Sequence, residues 1–157
     1  HMRKILEADA GKFSNLGGYV DYTSGEQPDA QAQVILDALR AGVPIDRLTI
    51  SSDSNGSMPK WGPNKELVGI TYARMTSLWA EICALIRAGL PLEQAILPVT
   101  ATVAQALELY PRKGCVAEGS DADLILVDDD LCIREVVAKG RLLMRDGQVL
   151  KRGFFED

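Results

Sequence analysis

Apolar residues recur at helical spacing in residues 28–42, where Val34, Ile35, Ala38 and Leu39 share one face. Pro28 fits the first turn of that helix and Gly42 its end. On either side lie short runs with β-branched and aromatic content: Tyr19-Val20-Asp21-Tyr22-Thr23 before it, Arg47 to Ser51 after it. The order strand, helix, strand predicts a parallel pair joined by a crossover helix. Ahead of it, residues 3–16 read as a mixed helix ended by Gly17-Gly18.

Downstream, residues 54–68 carry Pro59, Trp61, Gly62, Pro63 and Asn64 and read as a long irregular loop. Residues 72–88 then form a strongly amphipathic helix, with Met75, Leu78, Trp79, Ile82, Leu85 and Ile86 on the buried side. A short helix is expected over 92–97, and another, capped by Thr100, to about residue 109. Beyond Pro111 the pattern changes to strands and tight turns: 123–127, 133–139, and 142–144 with Asp146-Gly147 as a hairpin turn. A domain border near this shift divides the chain into residues 1–112 and 113–157.

At 157 residues the chain can bury one sizeable core, yet it is short of the roughly 250 residues of a complete eight-stranded α/β barrel. A net charge of −5 argues against a nucleic-acid or polybasic membrane surface. Three scattered cysteines suit a reducing compartment rather than a disulfide framework. No apolar run is long enough to span a bilayer, and the N-terminus lacks the order of a secretion signal. Together these features point to a cytoplasmic protein. There is one histidine, His1, so a self-contained multi-histidine metal site is not on offer.

Candidate chemistry concentrates in Ser51-Ser52-Asp53-Ser54-Asn55-Gly56-Ser57. A carboxylate at the end of a strand is where parallel α/β folds place their chemistry. By local pattern alone Asp53 has two readings, a turn residue or a metal ligand that also moves protons. A calcium loop fails because the later glutamate is missing, and a Walker-type phosphate loop fails because no lysine follows at its spacing. Asp128-Asp129-Asp130 reads as a solvated turn between strands. Trp79 reads as core, and Trp61 as a loop aromatic that closes over a ligand or pins the loop.

Thr100, Ala104, Leu107, Lys113-Gly114 and the run Glu118-Gly119-Ser120-Asp121-Ala122-Asp123-Leu124-Ile125-Leu126 resemble the closing signature of the amidohydrolase superfamily. More finely, Gly17-Gly18-Tyr19-Val20-Asp21, the segment from Ser51 to Ser57, and the ending Lys151-Arg152-Gly153-Phe154-Phe155-Glu156 resemble the isoaspartyl dipeptidases of that superfamily. The resemblance implies an α/β fold: the C-terminal part of a metal-dependent (β/α)8 TIM barrel, followed by strands of a small β-sandwich. It implies hydrolysis of β-aspartyl dipeptides at a centre of two zinc ions bridged by a carboxylated lysine that this chain does not contain. Asp53 would be a zinc ligand and the proton shuttle, His1 a further metal ligand, and Ser57 and Arg3 substrate contacts. The full-length enzyme would be a homo-oligomer, and this chain inactive alone for want of the other ligands. Two rivals stand beside it: a dihydroorotase-like or hydantoinase-like hydrolase of cyclic amides, and a non-catalytic domain that binds a partner through residues 54–68.

Overall fold

The computed structural model describes residues 7–152. The chain starts with helix α1 (Glu7–Asn15) and strand β1 (Val20–Thr23), and helix α2 (Pro28–Arg40) then leads to strand β2 (Leu48–Ser51). β1 and β2 pair in parallel, Val20 opposite Leu48 and Thr23 opposite Ser51. The expected strand–helix–strand unit is therefore present, with Pro28 in the first turn of α2.

Alternation along these two strands gives the sheet two different faces. Val20 and Tyr22 of β1, with Leu48 and Ile50 of β2, are buried against Ala32, Ile35 and Ala38 of α2 and Ile82 and Leu85 of the later helix α3 (Ser77–Arg87). Asp21 and Thr23, with Thr49 and Ser51, take the opposite face, where they are half-buried or exposed. The apolar half of each strand thus anchors it, which leaves the polar half available for chemistry.

Residues 54–68 are not an irregular loop. Strands β3 (Ser57–Trp61) and β4 (Leu67–Tyr72) form an antiparallel hairpin, with a bulge between Lys60 and Trp61. Gly62 donates to the Glu66 carbonyl at 2.8 Å to close the turn, and Lys65 there has φ of 63°. The hairpin claims Tyr72, so α3 starts at Ser77 rather than at 72. Met75 precedes the helix and is 68% exposed, against the expectation that it is core. Trp79 does pack on the core, and its indole N–H donates to the Leu131 carbonyl at 3.0 Å.

Helix α4 (Leu92–Ala95) and a 3₁₀ turn (Leu97–Val99) lead to α5 (Ala101–Ala106). Thr100 stands at the start of α5, but its hydroxyl donates back to the Ile96 carbonyl instead of capping. α5 ends before residue 109 because Glu108 turns into the left-handed region, with φ of 57°. Strands β5 (Leu124–Val127), β6 (Ile133–Ala138), β7 (Arg141–Arg145) and β8 (Gln148–Val149) then make one antiparallel sheet in sequence order. The described part of the chain is thus a stretch of α/β barrel architecture followed by a β-sheet. Its two parallel strands do not close a barrel.

Candidate active site

β2 ends at Ser51, and Asp53 follows two residues later with φ of 50°. The turn is closed by the main chain: the Gly56 N–H donates to the Asp53 carbonyl at 2.9 Å. Asn55, with φ of 63°, then starts the hairpin ladder by donating to the Ala73 carbonyl at 3.2 Å. Gly56 is needed where it stands, since a Cβ there would lie 2.8 Å from the Asp53 carbonyl oxygen and 3.1 Å from its Oδ1. Asp53 and Ser57 are both exposed.

The Asp53 carboxylate has no hydrogen-bond or ion-pair partner among the described residues, although its own turn is fully formed. Asp128 shows what a turn aspartate does instead. Its Oδ1 accepts from the Cys132 and Asp130 amides at 2.8 and 3.1 Å, and its Oδ2 binds Arg134 at 2.6 Å. Those amides, the Cys132 N–H first, hold the Asp128 carboxyl below the usual range, with Arg134 assisting. The acidic run at 128–130 is therefore a turn, as expected. Asp53 does not spend its side chain that way.

On the polar face, Asp21 of β1 reaches across to β2. Its Oδ1 accepts from the Thr49 hydroxyl at 2.8 Å and its Oδ2 from the Ser51 hydroxyl at 2.6 Å. The sequence named Asp21 only as part of a matching segment. The alternation of Val20-Asp21-Tyr22-Thr23 beside Leu48-Thr49-Ile50-Ser51 is the signal that places these side chains together. Just beyond, the Ser24 N–H continues the ladder to the Ser51 carbonyl at 2.8 Å, and the Ser24 and Ser77 hydroxyls share a 2.6 Å hydrogen bond. A cleft of about 460 Å³ between hairpin and helices is lined by Ser24, Glu26, Met58, Tyr72, Arg74 and Ser77, among others.

His1 and Arg3 lie outside the described residues. Among the described residues no group of three or more His, Cys, Asp or Glu side chains is arranged to hold a metal ion. Asp53, exposed and unpartnered, fits as one ligand, but the described residues do not by themselves form a two-metal centre. Cys83, Cys115 and Cys132 are free thiols. No helix among the described residues is long and apolar enough to cross a membrane.

The closing segment has a structural basis. Lys113 pairs with Asp121 at 2.8 Å and also with Asp123. The Asp123 Oδ1 accepts from the Lys139 amide at 2.7 Å, which ties the returning chain to the β-sheet. Gly114, with φ of 82°, packs so closely that a Cβ would meet the Ala104 side chain at 2.7 Å and the Thr100 carbonyl at 2.9 Å.

The chain as a whole is similar to known proteins. A β-aspartyl dipeptidase from Fervidobacterium islandicum AW-1, solved with a β-Asp-Leu dipeptide, is 34% identical, with a TM-score of 0.82 over 96% of this chain. A second structure of the dipeptidase from that organism gives 30% and 0.77 over 97% of the chain. N-acetylglucosamine-6-phosphate deacetylase from Pasteurella multocida, at 17% identity over 79% of this chain and 36% of its own, shares the fold, with a TM-score of 0.57. Over 68 residues, 42% of this chain and 11% of the relative, adenine deaminase 2 of Jannaschia sp. (strain CCS1) is 44% identical. The chain spans 40% of the length of the first of these structures and 38% of the second. The model of the amidohydrolase family matches residues 22–143, from β1 through most of β7, and the chain belongs to that family.

Proposed function

We propose that this chain forms part of the active site of a metal-dependent hydrolase of β-aspartyl dipeptides, in which Asp53 binds zinc and moves the proton. The carrying observation is the Asp53 carboxylate, free of partners in a turn that the main chain already closes. A carboxylate held at a strand end and left unspent is suited to general acid–base work. It would take the proton of the attacking water and return it to the leaving amine. Ser57, exposed at the start of β3, would contact the dipeptide. Zinc, when bound, supplies Lewis acidity and a more acidic water. The described residues offer Asp53 as one ligand, so the remaining ligands come from outside them. His1 and Arg3 keep their proposed roles as metal ligand and substrate contact. The division into 1–112 and 113–157, a homo-oligomeric whole enzyme and a cytoplasmic setting belong to the same reading.

Aspartate release from β-Asp-Leu, with and without zinc, tests this. The 157-residue chain alone is expected to show no turnover. In an enzyme that carries this chain together with the other ligands, Asp53→Asn should lower kcat by about 10²–10⁴-fold. Full activity of that variant would overturn the role of Asp53, and zinc-dependent turnover by the chain alone would overturn its incompleteness. The local match to adenine deaminase 2 favours one alternative, hydrolysis at a cyclic amide or amidine. Ammonia release from adenine, or ring opening of a cyclic amide, in place of dipeptide cleavage would select it.

A further inference from the structure

We propose that Asp21 is a positioning residue for Asp53, a clamp that fixes the end of β2 so that the Asp53 turn keeps its geometry. The inference rests on the catalytic reading of Asp53. Asp21 is level with Thr49, four residues before Asp53. β2 ends at Ser51, and the Asp21 carboxylate bonds to the Thr49 and Ser51 hydroxyls and to no group of the Asp53 turn among the described residues. Its influence must run through β2.

The path is short. One Asp21 oxygen holds the Thr49 hydroxyl at 2.8 Å and the other holds the Ser51 hydroxyl at 2.6 Å. Ser51 is also fixed through its carbonyl, which accepts from Ser24 at 2.8 Å. It therefore leaves the strand held on both main chain and side chain. Two residues on, Asp53 and then Asn55 adopt left-handed conformations, with φ of 50° and 63°. Asp and Asn tolerate this region better than other side chains do, yet the turn keeps its shape only while both of its ends are held. The Gly56 N–H to Asp53 carbonyl bond closes the turn from one side, and the Asp21 clamp holds its other side. Charge-assisted hydrogen bonds suit this task because they are shorter and stronger than neutral ones. The parallel pairing of β1 and β2 would survive without the clamp, since its ladder and its apolar face do not involve the Asp21 side chain.

Amide hydrogen exchange on the 157-residue chain reads the clamp directly. Asp21→Ala should speed exchange at Gly56 by roughly tenfold or more, with the Leu85 amide in α3 unchanged. Asp21→Asn, whose amide can still bridge two hydroxyls, should restore most of the protection. Equal acceleration at Gly56 and Leu85, or none at Gly56, overturns the inference. Should Asp21→Ala fail to fold, Ser51→Ala removes one arm of the clamp, and unchanged Gly56 exchange there overturns it as well. In the complete zinc enzyme, Asp21→Ala should lower kcat with KM within about twofold, as for loss of an interaction needed in the transition state. An unchanged kcat overturns the positioning role. Full activity of Asp53→Asn is a separate result that overturns the reading of Asp53 instead.

Discussion

Glu81 lies on α3 with 0% exposure, and neither carboxylate oxygen has a hydrogen-bond partner among the described residues. Burial, with Asp29 as a like-charged neighbour, pushes its pKa from the ordinary 4.5 up to about 7. The folded state therefore prefers the protonated acid, the reverse of a paired surface carboxylate. Stability from this group is complete below pH 4.5, falls as pH rises toward 7, and is level above that. A shift of this size amounts to about 3 kcal/mol. Glu81→Gln keeps the shape and the neutral state, so urea unfolding should find it more stable than the parent by up to that amount at pH 8. The two should converge near pH 4. A constant difference across this range would show that Glu81 titrates in the folded chain as it does in the unfolded one.

The turn between α5 and β5 behaves in the opposite sense. Lys113 lowers the pKa of Asp121, while Asp123 is lowered by Lys113 first and by the Lys139 amide second. The stability contributed by these aspartates is present above the ordinary 3.8 and lost as pH falls below it. The protection factor at the Lys139 amide, its exchange relative to the intrinsic rate at each pH, should therefore fall in acid, and Lys113→Met should bring that loss of protection to higher pH. Gly114→Ala strikes the same turn sterically. Left-handed strain plus a Cβ against Ala104 and the Thr100 carbonyl should cost about 2–4 kcal/mol, read by thermal unfolding. Elements with a buried face were legible in the sequence: α2 through Ile35 and Ala38, α3 through Ile82 and Leu85, and β1 and β2 through alternate apolar residues. The hairpin was not. Ser57, Pro59, Lys60, Trp61, Leu67, Val68 and Ile70 are all exposed, so main-chain pairing holds β3 to β4 without a core face to imprint a period. Pro59 also argues against a strand unless it lies on an edge, as it does here. The Asp53 segment was legible as a strand-end carboxylate, whereas its freedom from partners and the Asp21 clamp across β1 and β2 needed coordinates.

At the scale of the whole molecule, the described residues leave strand edges and large apolar side chains uncovered. β1 and β2 each have a single neighbour, so each keeps one open edge among the described residues. On the hairpin, Trp61, Ile70 and Tyr72 are 59%, 75% and 61% exposed. Open edges and exposed aromatic side chains are what aggregation and strand exchange use. The 157-residue chain should therefore self-associate at micromolar concentration in sedimentation equilibrium, and its melting temperature should depend on concentration. Ile70→Lys places a charge on that surface without touching the buried core, so it should weaken association by roughly tenfold and leave the far-UV spectrum unchanged. A chain that sediments as a monomer and melts sharply and independently of concentration would mean that the open strands are stable uncovered. Sheet pairing with further strands would then not be needed for the fold, and the dependence of activity on outside residues would rest on the missing metal ligands alone.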